Sequence, residues 1–133
     1  MKNKLYTKVS VVAAVMLLPL LMAAGPADEV ITRSGKTEIV NTTSIASKVK
    51  GFRGATPVKI YIERGKVVRI EALKNHETPR FFNIASKVLD KFEGKSVSKA
   101  SRMDVDAISG ATFSSKALIE NVQTGLKYYN KNK

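Results

Sequence analysis

The chain has 133 residues, no cysteine and no tryptophan, and 23 basic against 11 acidic residues, for a formal charge of +12. Without cysteine there is no disulfide and no lipid-modified N-terminal cysteine, and the single histidine leaves no catalytic triad; carboxylates show no ligand spacing, so no metal site is read. The basic residues are spread along the chain and form no stripe interleaved with aromatics, which excludes nucleic acid as the expected partner and leaves a solvated surface, an anionic lipid surface, an acidic protein or a phosphate ligand.

Lys2, Lys4 and Lys8 precede an apolar run over residues 11–24, broken only by Pro19, and small residues follow at Gly25 and Ala27. This is the layout of a secretory signal. The run is shorter than the roughly 20 residues of a spanning helix, so a cleaved signal over residues 1–27 is expected ahead of an N-terminal anchor. Cleavage after Ala24 or Ala27 fits equally. Losing three lysines and no acidic residue lowers the charge from +12 to +9. What remains is the size of one domain with a modest core, held by packing alone.

Residues 28–50 mix Thr, Ser and Lys with short apolar pairs such as Ile39 and Val40, and read as an irregular lead-in with one strand. Alternation then sharpens. Val58, Ile60 and Ile62 alternate with Lys59, Tyr61 and Glu63, and Val68, Ile70 and Ala72 alternate with Arg69 and Glu71, which predicts two amphipathic strands. A loop of Glu63, Arg64 and Gly65 puts both apolar sets on one face, with Gly65 left-handed. Next, Thr78 fits a helix N-cap and Pro79 the first helical position. Phe81, Ile84, Ala85, Val88 and Phe92 recur at helical spacing as core until Gly94. A last helix is predicted from about residue 115 to 129, burying Ile119, Val122, Leu126 and Tyr129. The expected fold is therefore a small α+β domain, an antiparallel sheet with a β-hairpin packed against about two helices, over residues 51–133.

Two segments carry the chemistry. Asp106, Ala107, Ile108, Ser109, Gly110, Ala111 and Thr112 read DAISGAT and lead into the last helix. Small residues opening a helix leave backbone N–H groups and the positive end of the helix dipole free to hold a phosphate. A plainer reading makes Asp106 and Ser109 turn residues, Gly110 a positive-φ position and Thr112 a helix cap. Upstream, His76, Glu77, Thr78 and Pro79 read HETP and open the earlier helix. No Gly-Lys-Ser or Gly-Lys-Thr ending follows Gly110, so this is not a nucleotide-binding Walker loop.

Together these segments and the export signal resemble the extracytoplasmic FMN-binding domain, the flavin-carrying domain of the C subunit of sodium-pumping NADH:quinone reductase and the G subunit of the Rnf complex. The resemblance covers roughly residues 51–129. It implies that Thr112 carries FMN through a phosphoester, installed by a magnesium-dependent flavin transferase that takes the FMN moiety from FAD. Asp106 is then a recognition or positioning group, Ser109 a loop hydrogen-bonding residue, and Gly110 and Ala111 the small residues that let the loop enter the transferase. His76, Glu77 and Thr78 are expected beside the flavin. The family usually continues HETP with Gly and then small or apolar residues, whereas Arg80, Phe81 and Phe82 follow here. That departure makes Arg80 a candidate partner for a flavin phosphate or carbonyl, and Phe81 or Phe82 a cover for the ring. The resemblance further implies an exported electron carrier with no catalytic side chains of its own, and redox partners at or near a membrane. The rival readings are a non-covalent flavin or anion-binding module and a membrane-surface interaction domain without a redox role.

Overall fold

The computed structural model describes residues 29–133, and the expected export signal or anchor at residues 1–27 lies outside them. Strands β1 (Ile31–Ser34), β2 (Thr37–Asn41), β3 (Val58–Glu63) and β4 (Lys66–Ala72) form one antiparallel sheet in the order β1-β2-β3-β4. Helix α1 (Pro79–Ala85) runs directly into a 3-10 segment (Ser86–Phe92); α2 (Val97–Ala100) is a single turn, and α3 (Thr112–Asn132) is the longest element. The α+β class and the antiparallel sheet are as expected. The lead-in is not: it contributes two strands, and β2 pairs with β3 through Glu38 to Asn41.

Alternation forms β3 as predicted, with Val58, Ile60 and Ile62 fully buried on one face. The β3–β4 connection differs from the expected three-residue loop. Arg64 and Gly65 alone make the turn, with φ 52° and 75°, the pair of positive values that a two-residue type I′ hairpin requires. This turn sets Ile62 opposite Val67, and a bulge then inserts Val68 before Tyr61 meets Arg69. Val67 and Ile70 therefore face the core, while Val68 is exposed. On the open face Arg69 stacks over the Tyr61 ring at 3.9 Å, and the Tyr61 hydroxyl donates to Glu71.

The buried face of the sheet meets Ala85, Val88, Leu89 and Phe92, and Leu118, Val122, Leu126 and Tyr129 of α3. Helix α3 packs on β2, β3, α1, α2 and the 3-10 segment, so it organises the whole core. It crosses the sheet at Gly125, where an added Cβ would sit 2.8 Å from both Ile60 Cδ1 and Thr42 Cγ2. Close approach there justifies a glycine that otherwise costs a helix interior about 1 kcal/mol. Asn121, also on α3, accepts from the Thr42 hydroxyl at 2.6 Å and donates to the Thr56 hydroxyl at 3.3 Å, satisfying a buried polar trio between helix and sheet. Phe81, expected in the core, is 46% exposed, because α1 packs on α3 and its first turn borders a cleft. Among the described residues no helix is long and apolar enough to cross a membrane.

Candidate functional site

The segment that sequence singled out folds as a turn docked on the start of α3. Ala111 N–H donates to Ile108 O at 3.0 Å, and Gly110 between them has φ 87°, the value a type II turn demands at its third residue. Ser115 ties the turn to the helix: its hydroxyl accepts from Ile108 N at 2.9 Å and donates to Thr112 O at 3.2 Å. Thr112 is the first residue of α3, not its cap. Ala111 holds the cap position with φ −147° and has no side chain able to cap. The mouth of this helix of 21 residues therefore presents backbone N–H groups without a capping side chain, beside the exposed Thr112.

A cleft of about 260 Å³ opens at that mouth, lined by Gly110, Ala111, Thr112, Phe113 and Ser114 on the helix side and by Phe52, Glu77, Thr78 and Phe81 opposite. Three phenyl rings border it. Phe52 is 71% and Phe113 67% exposed, and their centroids lie 6.2 Å apart, tilted by 42°. Large apolar side chains clustered in solvent beside an uncapped helix mouth form a surface that fits a planar aromatic ring joined to an anionic group. Thr78 sits at the N-cap position of α1 with no side-chain capping bond, so its hydroxyl is not committed there.

Glu77 is the most constrained residue of the site. It is only 6% exposed, and its carboxylate accepts from Phe52 N at 2.9 Å, Arg53 N at 2.5 Å and the Ser114 hydroxyl at 2.5 Å. Burial pushes this carboxyl up, but the Ser114 hydroxyl, the two backbone amides and the charge of Arg53 outweigh it and hold it below the ordinary carboxylate value. Both oxygens are thus turned to the protein.

The structure brings Glu77, Thr78, Gly110, Ala111 and Thr112 together around one cleft. His76, Asp106 and Ser109 are exposed and do not line it. Arg80 is exposed, with its guanidinium 5.9 Å from the Phe81 ring centre, and Phe82 packs against the core instead of the cleft. Sequence reasoning missed Phe52, Phe113 and the Ser114 bond to Glu77. Phe52 and Phe113 carried one signal, large aromatics that fall in no apolar period.

No curated protein matched the chain in comparison. The model of the FMN-binding domain matches residues 51–127, from the loop bearing Phe52 to the last turns of α3, and so takes in every residue that lines the cleft. With a match over more than half its length, this chain belongs to the FMN-binding domain family.

Proposed function

We propose that the chain is an exported flavoprotein module that holds FMN as a phosphoester on Thr112 and passes electrons between membrane-associated or extracytoplasmic partners. The observation that carries this reading is the exposed Thr112 at an uncapped helix mouth, beside an aromatic cleft, in a chain of this family. When bound, the flavin supplies one- and two-electron chemistry that no side chain here offers. Thr112 provides the attachment oxygen. In the proposed attachment its Oγ1–phosphorus bond would form as the anhydride of FAD breaks, with AMP leaving and the hydroxyl proton passing to a base. That base belongs to the transferase, because Glu77, the one carboxylate lining the cleft among the described residues, is engaged by three hydrogen-bond donors. Gly110 and Ala111 let the loop enter the transferase without side-chain clashes, and the amides at the start of α3 would hold the phosphate.

Phe52, Phe81 and Phe113 would flank the ring and exclude water from part of it, and Thr78 offers the uncommitted hydroxyl. Tethering has a physical rationale outside the cytoplasm, where no flavin pool replaces a cofactor lost by dilution. Export itself is supported by the basic, apolar and small-residue succession at residues 1–27. The test is the intact mass of the denatured protein after co-expression with a flavin transferase, beside Thr112→Ala. A gain of about 438 Da, one dehydrated FMN, in the native chain alone is expected from phosphoester chemistry. Unmodified mass in a yellow sample means reversible binding and overturns the covalent reading. A colourless, unmodified sample overturns the carrier reading altogether.

A further inference from the structure

Residues 50–55 form a strap across one side of the cleft. Lys50 and Ala55 bridge in antiparallel fashion, and Gly51 N–H donates to Gly54 O at 2.8 Å, so the strap closes on itself. Its two central side chains, Phe52 and Arg53, are exposed. Apart from the pairing of the exposed Phe52 and Phe113 rings, no residue of the strap belongs to the buried core. It is fixed to the domain by the Glu77 carboxylate, which accepts from the N–H groups of both central residues while also accepting from Ser114 on α3. One buried group therefore joins the strap, the approach to α1 and the first turn of α3. Gly51 is the gap that admits it, since an added Cβ there would collide with Glu77 Oε1.

We infer that Glu77 is a positioning residue of the flavin site: by holding the strap through the amides of Phe52 and Arg53, it sets Phe52 as a wall of the cleft beside Thr112. This rests on the FMN reading above, and it assigns to Glu77 no contact with the flavin. Around the carboxylate, the strap contributes the charge of Arg53, α3 contributes the neutral hydroxyl of Ser114, and its chain neighbour His76 points to solvent. An aromatic wall carried by a strap without a core of its own needs such a fixed point, because an exposed loop otherwise opens at little cost.

Two measurements test the inference. In the flavin-free full chain, the amide resonances of Phe52 and Arg53 are followed during acid titration. They are expected to move together with one midpoint below the ordinary carboxylate range, and to lose that transition in Glu77→Gln. Gly51→Ala, which leaves the carboxylate in place but removes its room, is expected to shift both amides at neutral pH. Amides that titrate separately or not at all overturn the inference. In the loaded protein, acrylamide quenching of flavin fluorescence is compared in Phe52→Ala, Glu77→Gln and the double variant. Each single change is expected to raise quenching severalfold, and the double change to add nothing further. Additive effects would mean that Glu77 acts on the flavin directly, and overturn it. If the native chain takes up no flavin, the proposed function fails, while the amide titration still decides whether Glu77 holds the strap.

Discussion

Replacing Asn121 by Leu probes a fully buried polar side chain that links α3 to the sheet. The side chains are similar in size, so the change removes hydrogen bonds without opening a large cavity. The Thr42 hydroxyl keeps a second acceptor, Val58 O at 3.3 Å, and its oxygen still accepts from Val58 N at 2.9 Å. Thr56 loses its partner, and its fully buried hydroxyl is left unsatisfied. One orphaned group, not two, sets the cost at about 1–3 kcal/mol. For a domain of this size, that lowers Tm by roughly 5–20 °C. Adding Thr56→Val in the Asn121→Leu background deletes the orphan, so stability should recover there, whereas the same change in the native background should destabilise. Urea unfolding of the four chains at fixed ionic strength measures both effects. A Thr56→Val cost of the same sign and size in both backgrounds refutes the reasoning. Flavin loading should be unchanged throughout, since none of the three residues lines the cleft.

Glu77 makes stability fall in acid. Its folded pKa is depressed, so its contribution is complete above the unfolded value near 4.5 and is lost as pH falls through the folded one; Glu77→Gln should flatten that acid limb in urea midpoints measured against pH. Tyr129 acts at the other end. Burial and the hydrogen bond to Glu38 push its phenol from 10.0 up to about 12, so its contribution is complete below 10.0 and is lost as pH rises through about 12; Tyr129→Phe should remove this alkaline transition, read by circular dichroism. Arg64→Asn should stabilise the protein by about 0.5–1 kcal/mol, because asparagine tolerates the left-handed turn position better than arginine does. A urea midpoint that falls for Arg64→Asn would contradict the turn assignment.

The sequence was most legible where one residue's chemistry dictates local geometry. Gly110 inside a run of small residues announces a turn that only glycine completes, and Pro79 after Thr78 announces a helix start. Alternation found β3 and β4 but misplaced the register, because Val67 and Val68 are equally apolar and a bulge leaves no mark on composition. The β1–β2 pair was underestimated for a related reason: β1 is an edge strand with little buried surface, so its residues carry little apolar pattern. Phe81 kept helical spacing with the core residues and still ended at the cleft, since periodicity reports which face of a helix is apolar and not what that face meets. The role of Glu77 was beyond reach for a different reason. Two of its three partners are backbone amides 24 and 25 positions away, and a backbone donor has no residue signature.

Helix α3 is a continuous rod of 21 residues, about 32 Å long at the α-helical rise, with Thr112 at its tip and the core residues Leu118, Val122 and Leu126 along its shaft. No hinge separates tip from shaft. A group tethered at Thr112 therefore has no swinging arm, as a carrier on a flexible loop would. In the proposed loaded state the cofactor could reorient only as far as its own ribityl chain allows, and distance to a partner would be set by how the whole domain collides. Exchange would then be governed by rotational diffusion and docking of a rigid body, and little structural rearrangement of the protein would accompany each transfer.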